Sequence, residues 1–392
     1  MVPFTPRFAS RTDGIVQSDI RRMTRECDRV NGINLGQGIC DQPTPDPVKE
    51  AAVRAVEADH NTYSKFEGID PLRHLIAAKA SSYNRIPCDP ATQVVVTVGS
   101  TGGFAIACLA LLNAGDEAVV FSPFYSYHLN ILKMCGAGVR FVPLRAPDWS
   151  FDEAELERAF TPATRILVLN TPANPSGKVF SRPELERIAA ACARRDVVAL
   201  TDEIYEYILY DGHEHVSLGS LPGMEDRTVT LSGFSKTYSM TGWRLGYAIA
   251  SPAIAARMGL LNDLLYICAP TPLQHAVTAA MRLPESYYEE LRASYAAKRD
   301  ALEEACREAG LEPIRPQGAY YMLADITTLG CATDVEAAAQ ILARAGVSSV
   351  PGSSFYADPS DGRSQVRFCF AKKPGDLDEA CRRLKGLRAL AP

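Results

Sequence analysis

Short apolar runs rich in β-branched residues alternate, along the middle of the chain, with stretches in which apolar residues recur at helical spacing. The helical stretches are Gly102–Leu112, Asp152–Phe160 and Arg182–Arg195. Because the apolar runs are nearly continuous and alternate with helices, they favour parallel strands whose two faces are both covered. We therefore predict an α/β fold with a mostly parallel sheet between layers of helices. Its seven strands are expected at Val94–Val98, Ala118–Phe121, Val139–Val142, Ile166–Leu169, Val198–Thr201, Thr228–Leu231 and Gly246–Ala250.

The pattern changes near residue 283. A long charged helix is predicted from Tyr287 to Ala309, and Gly310 suits its C-terminal end. Three strand-like and two helical pieces follow this helix. We expect a large domain at 47–283 and a smaller α+β domain that combines 284–392 with the N-terminal segment 1–46.

The bulk composition is that of an ordinary globular protein. The 392 residues are 47% hydrophobic and 22% charged, with a net charge of −5. This balance argues against nucleic acid or an anionic membrane surface as a partner, and no apolar run is long enough to span a bilayer. The 11 cysteines are an odd number without a CxxC pair, which is typical of reduced thiols. Since residues 1–16 also lack the apolar core of a secretory signal, we expect a cytoplasmic protein.

The histidines give little sign of a metal site. Among the 6 histidines, only His213 and His215 are closely spaced, and they lie in a polar loop where we expect them to be solvated. We therefore predict that the protein binds no metal.

Polar and aromatic residues follow several of the predicted strands. In an open parallel sheet, the carboxyl ends of the strands meet at one edge, and ligands bind there. These segments therefore predict one composite site. They are 99–103, 122–125, 170–177, 202–205 and 232–236.

The most informative segment is 232–247, SGFSKTYSMTGWRLGY, which lies between two predicted strands. Lys236 stands there among small and hydroxyl residues and has no apolar face to cover. Lysine forms Schiff bases with carbonyls once burial or nearby cations lower its pKa, and an arginine such as Arg244 suits a phosphate. Together they predict an aldehyde cofactor that carries a phosphate, pyridoxal 5'-phosphate. An ordinary solvated lysine is the alternative that this spacing alone leaves open.

The other strand ends carry groups that fit such a cofactor. Ser100 and Thr101, in a glycine-rich turn that opens a helix, could hold the phosphate. Asp202 could pair with a pyridinium nitrogen, while Asn174 and Tyr205 could form hydrogen bonds to the phenolate oxygen. Each of these residues also has an ordinary structural alternative, as a cap, a turn residue or a core residue.

Two further residues complete the set. Tyr125 could stack on the cofactor ring. Arg367 lies in the alternating pattern VRFCF, and its planar guanidinium is suited to bidentate capture of a carboxylate. On pattern alone, Arg367 is expected more often on the solvent face of a strand.

Three motifs in this order resemble one known family. NTPANPSGKV at 170–179, TDEIYEYILY at 201–210 and SGFSKTYSMTGWRLGY at 232–247 are similar to the class I aminotransferases of PLP fold type I. The likeness extends from NLGQGICDQPTPD near the start to VPGSSFY and VRFCFAK near the end. It is nearest to the kynurenine, glutamine and methionine aminotransferase branch.

The resemblance implies a role for each residue. Lys236 would be the Schiff-base lysine and proton shuttle, and Tyr63 would reach the phosphate of the neighbouring subunit in a homodimer with shared active sites. The implied cofactor-binding residues are Ser100, Thr101, Tyr125, Asn174, Asp202, Tyr205, Ser235, Lys236, Arg244 and Tyr63. The substrate α-carboxylate would be bound by Arg367, Asn174 and the backbone of Gly38.

The sequence departs from the family pattern in places. Gly233 replaces a serine that many relatives carry, so either Ser232 or Ser235 must supply the hydroxyl for the phosphate. Thr101 stands where aspartate-specific relatives carry a lysine, which counts against aspartate as the main amino donor. The segment Ile15–Ile20, which would line the substrate pocket, is almost uncharged.

The implied activity is transamination between an L-amino acid and a 2-oxo acid, through a Lys236 Schiff base. An aromatic, neutral or sulfur-containing side chain is favoured. A cysteine-conjugate β-lyase on the same scaffold, and an aspartate or broad-specificity aminotransferase, remain open alternatives. A non-catalytic PLP-binding regulator is disfavoured, because no basic helix-turn-helix precedes residue 34.

Overall fold

The computed structural model describes residues 4, 6–13, 15 and 18–387. Its strands are β1 (Ile33–Asn34), β2 (Val94–Thr97), β3 (Glu117–Ser122), β4 (Gly138–Pro143), β5 (Thr164–Asn170), β6 (Val198–Asp202), β7 (Thr228–Gly233), β8 (Gly246–Ile249), β9 (Glu312–Ile314), β10 (Tyr321–Asp325), β11 (Val347–Ser348), β12 (Val350–Pro351) and β13 (Gln365–Cys369). Its α-helices are α1 (Asp19–Arg29), α2 (Asp46–Glu57), α3 (Asp70–Lys79), α4 (Gly99–Leu111), α5 (Ser126–Met134), α6 (Glu153–Ala159), α7 (Arg182–Arg195), α8 (Pro252–Tyr266), α9 (Thr271–Ala280), α10 (Glu285–Glu308), α11 (Asp334–Ala345) and α12 (Pro374–Lys385).

The central sheet confirms the predicted fold class. In the described part of the chain it has seven strands in the order β2-β8-β7-β6-β5-β3-β4. β8 runs antiparallel to both of its neighbours, and the remaining pairs are parallel. Each of the predicted strands is present, at slightly different boundaries.

Alternate residues of the sheet enter different apolar clusters, which explains why the strands are almost continuously hydrophobic. Leu167 and Leu169 of β5 belong to one cluster, whereas Ile166 and Val168 belong to another on the opposite face. Each of these side chains is at most 3% exposed. Both faces are therefore covered, as expected for a parallel sheet.

Helix ends follow the expected capping chemistry. Ser181 and Glu184 form a capping box at the start of α7. Gly310 follows the end of α10 with a φ of +85°, a conformation that favours glycine. α4 begins at Gly99 rather than at Gly102, so Ser100 lies in its first turn.

A second sheet has four strands in the order β12-β13-β10-β9, and β1 pairs with β11. The backbone N–H of Cys369 at the end of β13 donates to the carbonyl of Leu35, at 2.6 Å. This contact holds the segment after β1, which includes Gly38, between the second sheet and the carboxyl edge of the first.

The structure corrects two expectations about buried residues. All residues of β13 are buried, so Arg367 does not lie on a solvent face and the predicted alternating pattern is wrong. His215 was expected to be solvated, yet its side chain is 1% exposed and its Nε2 lies 2.7 Å from a carboxylate oxygen of Glu203. His213 is exposed, as expected. In both corrections, a residue that looked peripheral by local sequence is covered by elements distant in the chain.

The thiols agree with the expectation from sequence. The 11 cysteines all lie within the described residues, and none of them forms a disulfide. Nor does any helix in the described ranges combine the length and apolar character that a membrane crossing requires.

Candidate functional site

A cavity of about 450 Å³ lies at the carboxyl edge of the central sheet. The loops after β3, β5, β6 and β7 line it, together with the first turn of α4 and the segment after β1. These loops therefore converge at the edge of the sheet that the strand pattern predicted. The predicted residues that line the cavity are Gly38, Ser100, Thr101, Tyr125, Asn174, Asp202, Tyr205, Ser235, Lys236 and Arg244.

Lys236 lies on the turn between β7 and β8 and projects into this cavity. Its Nζ donates to the carbonyl oxygen of Gly38 at 3.4 Å, and it lies 5.9 Å and 5.5 Å from the ring centroids of Tyr205 and Tyr320. Burial lowers the pKa of Lys236 below its ordinary value, and the charge of Arg244 acts in the same direction. A larger fraction of the amine is therefore neutral, and nucleophilic, than for a solvated lysine.

Asp202 ends β6 and presents its carboxylate to the cavity. Its Oδ2 lies 2.9 Å from Nε2 of His128, and its Oδ1 accepts from the backbone N–H of Ile204 at 3.3 Å. Sequence reasoning missed His128, which was counted among histidines without a role. The available signal was its position in the first turn of α5, one helical turn after Tyr125. His128 fixes the orientation of the carboxylate that faces a ligand.

Asn170 joins the loops that follow β5 and β6. Its Nδ2 donates to the carbonyl oxygen of Asp202 at 2.8 Å, and its Oδ1 accepts from the backbone N–H of Asn174 at 2.7 Å. Asn174 in turn accepts a hydrogen bond from Nη1 of Arg367 at 2.8 Å. The chain of contacts sets the position of Asn174 relative to Asp202.

Arg367 lies behind the cavity and is 0% exposed. Its Nη2 donates to the carbonyl oxygen of Gly36 at 2.6 Å, and the guanidinium stacks on the rings of Tyr321 and Phe355. Among the described residues no carboxylate pairs with it, and its Nε has no hydrogen-bond partner. A buried and unpaired cation favours an anion nearby.

Tyr205 and Tyr321 lie opposite Asp202 in the cavity wall. Their hydroxyl oxygens are 3.0 Å apart, and burial raises the pKa of both phenols. Both phenols are therefore neutral at ordinary pH, and either can donate a hydrogen bond to a ligand oxygen.

The cavity also carries groups that bind anions. Ser100 and Thr101 lie in the first turn of α4, where backbone N–H groups are free, and Arg244 lies beside them. A Cβ at Gly99 would lie 2.5 Å from Nη2 of Arg244, so glycine is needed for this approach. A phosphate is the ligand that such a set suits best.

The two serines that could contact a phosphate, Ser232 and Ser235, have side chains that point to different places. Ser235 lines the cavity, and its residue is 6% exposed. The hydroxyl of Ser232 instead donates to Oε1 of Glu206 at 2.6 Å, on the other side of the turn. The geometry favours Ser235 for a contact with a bound anion.

Two predicted residues do not line this cavity, and one region lies partly outside the described residues. Tyr63 is 77% exposed on the surface, and Arg367 stands one layer behind the wall. Of the segment Ile15–Ile20, residues 16 and 17 are not described, Ile20 lines the cavity, and Ile15 does not. Sequence reasoning also missed Arg21, an exposed cation in the cavity lining.

The arrangement therefore has three chemical parts. A cationic and hydroxyl-rich group of residues suits a phosphate, a carboxylate suits a protonated ring nitrogen, and Lys236 supplies an amine with a lowered pKa. These parts fit a flat, aromatic phosphate ester that carries a carbonyl group.

Comparisons with known proteins agree with this chemistry. The family model described as aminotransferase class I and II matches residues 30–384. Kynurenine--oxoglutarate transaminase 1 of Mus musculus is 34% identical over 409 residues, which cover 96% of this chain and 96% of that protein. The probable N-succinyldiaminopimelate aminotransferase of Mycobacterium tuberculosis is 36% identical and covers 92% of this chain and 93% of its own length.

Solved structures are similar over nearly the whole chain. That of an Escherichia coli protein with a methionine aminotransferase function superposes with a TM-score of 0.93 at 31% identity, covering 98% of this chain and 100% of that one. An aspartate aminotransferase of Thermus thermophilus with maleate superposes with a TM-score of 0.91 at 30% identity, covering 98% and 100% respectively.

The close approach at Gly38 gives a test of the cavity wall. A Cβ at this position would lie 1.9 Å from the hydroxyl oxygen of Tyr321, which is held in β10. We expect Gly38→Ala to lower the free energy of unfolding by about 1–3 kcal/mol, because the wall must move to admit the methyl group. Urea denaturation measures the change. Gly375→Ala, where nothing lies within 4 Å of the added Cβ, is the control. Equal stability of the two variants would contradict the described wall.

Proposed function

The chain belongs to the class I and II aminotransferases and transfers an amino group with pyridoxal phosphate. On this basis we propose a role for each residue of the cavity. Ser100, Thr101, Ser235 and Arg244 bind the phosphate. This assignment rests on the anion-binding groups of the cavity, where a helix N-terminus, hydroxyl groups and a guanidinium converge.

The rest of the cofactor fits the other residues of the wall. Asp202, oriented by His128, binds the ring nitrogen and keeps it protonated. Tyr205 and Asn174 donate to the phenolate oxygen, and Tyr125 covers one face of the ring. The support for this assignment is that Asp202, Tyr205, Asn174 and Tyr125 all line the cavity that also holds the anion-binding groups.

The proton transfer is assigned to Nζ of Lys236. When bound, pyridoxal phosphate supplies an aldehyde that combines with amines and a ring that withdraws electrons. The amine of Lys236 accepts the proton from Cα of the substrate and later returns a proton, as general base and then acid. Its lowered pKa suits this task, since the rate is expected to rise as pH increases through that pKa and the base becomes neutral.

The substrate α-carboxylate is assigned to Arg367, together with Asn174 and the backbone of Gly38. This is supported by the surroundings of Arg367. It is a fully buried cation without a carboxylate partner in the described chain, and its Nε has no hydrogen-bond partner. An anion beside it would relieve the cost of burying that charge.

The residues that line the cavity indicate which substrate side chains it accepts. Thr101, Ile20 and Ile39 line the cavity without charge and favour an amino donor with an aromatic, neutral or sulfur-containing side chain. Arg21, in the first turn of α1, suits the distal carboxylate of an acidic 2-oxo acid, and relatives are named for oxoglutarate as a partner substrate. A broad-specificity enzyme that also uses aspartate fits these residues less well, because Thr101 has no charge. None of the relatives reported above is named as a lyase.

We also infer a homodimer that shares its active sites, with Tyr63 reaching the partner's phosphate. Apolar side chains near the end of α8 support this, because Leu260, Leu264 and Leu265 are 52%, 80% and 51% exposed. The seven-stranded sheet is built within 47–283, whereas the four-stranded sheet and the β1–β11 pair come from 1–46 and 284–392, which supports a division into a large and a small domain at these bounds.

We propose a cytoplasmic location on the basis of the thiols. The free cysteines include Cys40 and Cys369 close to the charge of Lys236, and a reducing compartment keeps such thiols intact. Fractionation of the native cells measures the location, and recovery in a secreted fraction would contradict it.

The one observation that carries the function is a partly buried Lys236 in the same cavity as a set of anion-binding groups and a carboxylate. We expect Lys236→Ala to reduce kcat by at least about 100-fold, because the general base is lost. Lys133→Ala removes a surface lysine of α5 and serves as the control. Half-reactions with an amino acid, followed by absorbance of the bound cofactor, measure the effect. A variant that turns over like the parent would refute the assignment.

Arg21 gives a test of substrate specificity. We expect Arg21→Gln to raise the KM for 2-oxoglutarate about fivefold and to leave the KM for pyruvate unchanged, because an exposed charge pair contributes about 1 kcal/mol. Arg22→Gln removes a neighbouring arginine that pairs with Asp19 and does not line the cavity. An equal change for both 2-oxo acids, or no change for either, would show that Arg21 does not bind the distal carboxylate.

The dimer is tested at α8. One chain has a mass of 42.6 kDa, and we expect light scattering to report twice that mass for the parent protein. Leu264→Glu should yield single chains with weakened cofactor binding, because Tyr63 of the partner is lost with the interface. Val335→Glu changes an exposed residue of α11 and should leave the mass unchanged. A parent protein that is monomeric and active would contradict the shared site.

A further inference from the structure

A second groove, of about 650 Å³, lies apart from the active-site cavity and shares no lining residue with it. It is bounded by the chain after α3, by the start of α7, by the loop 209–217 and by α10. We propose that this groove, which we call the arginine groove, binds the phosphate group of a small phosphorylated effector.

The charge of the groove is predominantly positive. Arg85, Arg182 and Arg292 line it, and in the described chain neither Arg85 nor Arg182 has a carboxylate within ion-pairing distance. Arg292 lies 3.3 Å from Glu285. Guanidinium groups that line one groove without an acidic partner of their own, as Arg85 and Arg182 do, suit an oxyanion.

Acidic residues at the groove do little to neutralise it. Asp211 also lines the groove, but its carboxylate already pairs with Arg299 at 2.7 Å and with Arg315 at 3.1 Å. Glu214 is the other acid of the lining, and it is exposed to water on a loop. The free cations therefore keep their attraction for a bound anion.

Both unpaired arginines occupy positions that local physics disfavours. Arg182 is the first residue of α7, where the helix dipole is unfavourable for a cation. Arg85 has a φ of +58°, in the left-handed region that few residues other than glycine adopt. Residues in locally unfavourable positions occur most often at functional sites, and both Arg85 and Arg182 line this one groove.

The inner wall of the groove adds an unsatisfied polar atom. His215 lines the groove, and its side chain is 1% exposed. Its Nε2 contacts Glu203, which lies behind it and does not line the groove, while its Nδ1 has no hydrogen-bond partner. This nitrogen is itself covered, so the arginines are the groups that a bound anion would contact directly.

The groove is joined to the active site by hydrogen bonds. Asn84 lines the groove and donates to Oε2 of Glu206 at 2.8 Å. Glu206 follows Tyr205 in the chain, and Glu203 follows Asp202. An anion in the groove therefore lies beside Asn84 and His215, whose hydrogen-bond partners Glu206 and Glu203 adjoin Tyr205 and Asp202 in the chain, and through them an effector could change turnover.

Calorimetry on the holoenzyme tests the site with two probes, inorganic phosphate and glycerol 3-phosphate. The double variant Arg85→Gln/Arg182→Gln should bind both at least about tenfold more weakly than the parent, a loss of about 1.4 kcal/mol. Arg182→Lys keeps the charge and should retain most of the binding. Arg194→Gln, at the far end of α7 where it pairs with Glu157, should bind as the parent does.

The outcomes separate the possible ligands. Tighter binding of glycerol 3-phosphate than of phosphate supports an organic phosphate, whereas equal binding assigns the site to phosphate itself. Equal affinity of parent and double variant for both probes would overturn the site. The parent's kcat/KM should change at least about twofold with the tighter probe, and the double variant's should not; no change in the parent would overturn the effector role. Because binding is measured without turnover, failure of the proposed catalytic roles would not affect this result.

Discussion

Partial burial of the Lys236 amine is the constraint on which the site depends. An ammonium ion loses hydration inside a protein, and this loss lowers the pKa of Lys236. The surroundings limit that cost without removing it, since Nζ donates to the carbonyl of Gly38 and the charge of Asp202 acts on it without a direct ion pair. A lysine paired directly with a carboxylate would remain charged and could not attack a carbonyl. The separation between Lys236 and Asp202 is therefore as important as their presence.

Side chains of the turn after β6 point to two different places. Asp202 and Tyr205 face the cavity, whereas Glu203 and Glu206 face a buried network on the other side. In that network Glu206 pairs with Lys79, whose charge helps to lower the pKa of the Glu206 carboxyl. Several buried hydrogen bonds in this network, such as those from Ser217 to Glu203 and from Ser232 to Glu206, restrict the backbone of the turn. The orientation of Asp202 and Tyr205 therefore depends on residues that a ligand does not touch.

Much of the fold could be predicted from sequence, because apolar strand runs and helix periodicity are local signals. The lining of the cavity could be predicted for the same reason, since the carboxyl ends of parallel strands converge. Arg367 and His215 show where this reasoning stops. Their burial is set by segments that are far away in sequence, such as Asn174 and Gly36 against Arg367 and Tyr83 against His215. The local patterns VRFCF and GHEHV contain no sign of those contacts. His128 was missed because its partner, Asp202, lies on β6, 74 residues away in the chain.

The two arginines assigned to substrate carboxylates differ in burial, and the difference has a consequence for specificity. Arg367 is 0% exposed and stacked between Tyr321 and Phe355, so an anion beside it gains an interaction that water does not screen. Every amino acid and every 2-oxo acid carries the carboxylate that Arg367 would bind. Arg21 is exposed, so water and salt weaken its attraction for the carboxylate by which acidic and neutral substrates differ. The site should therefore bind the α-carboxylate of its substrates strongly and discriminate only weakly between their side chains. An enzyme built in this way is suited to exchange amino groups between side chains of different character.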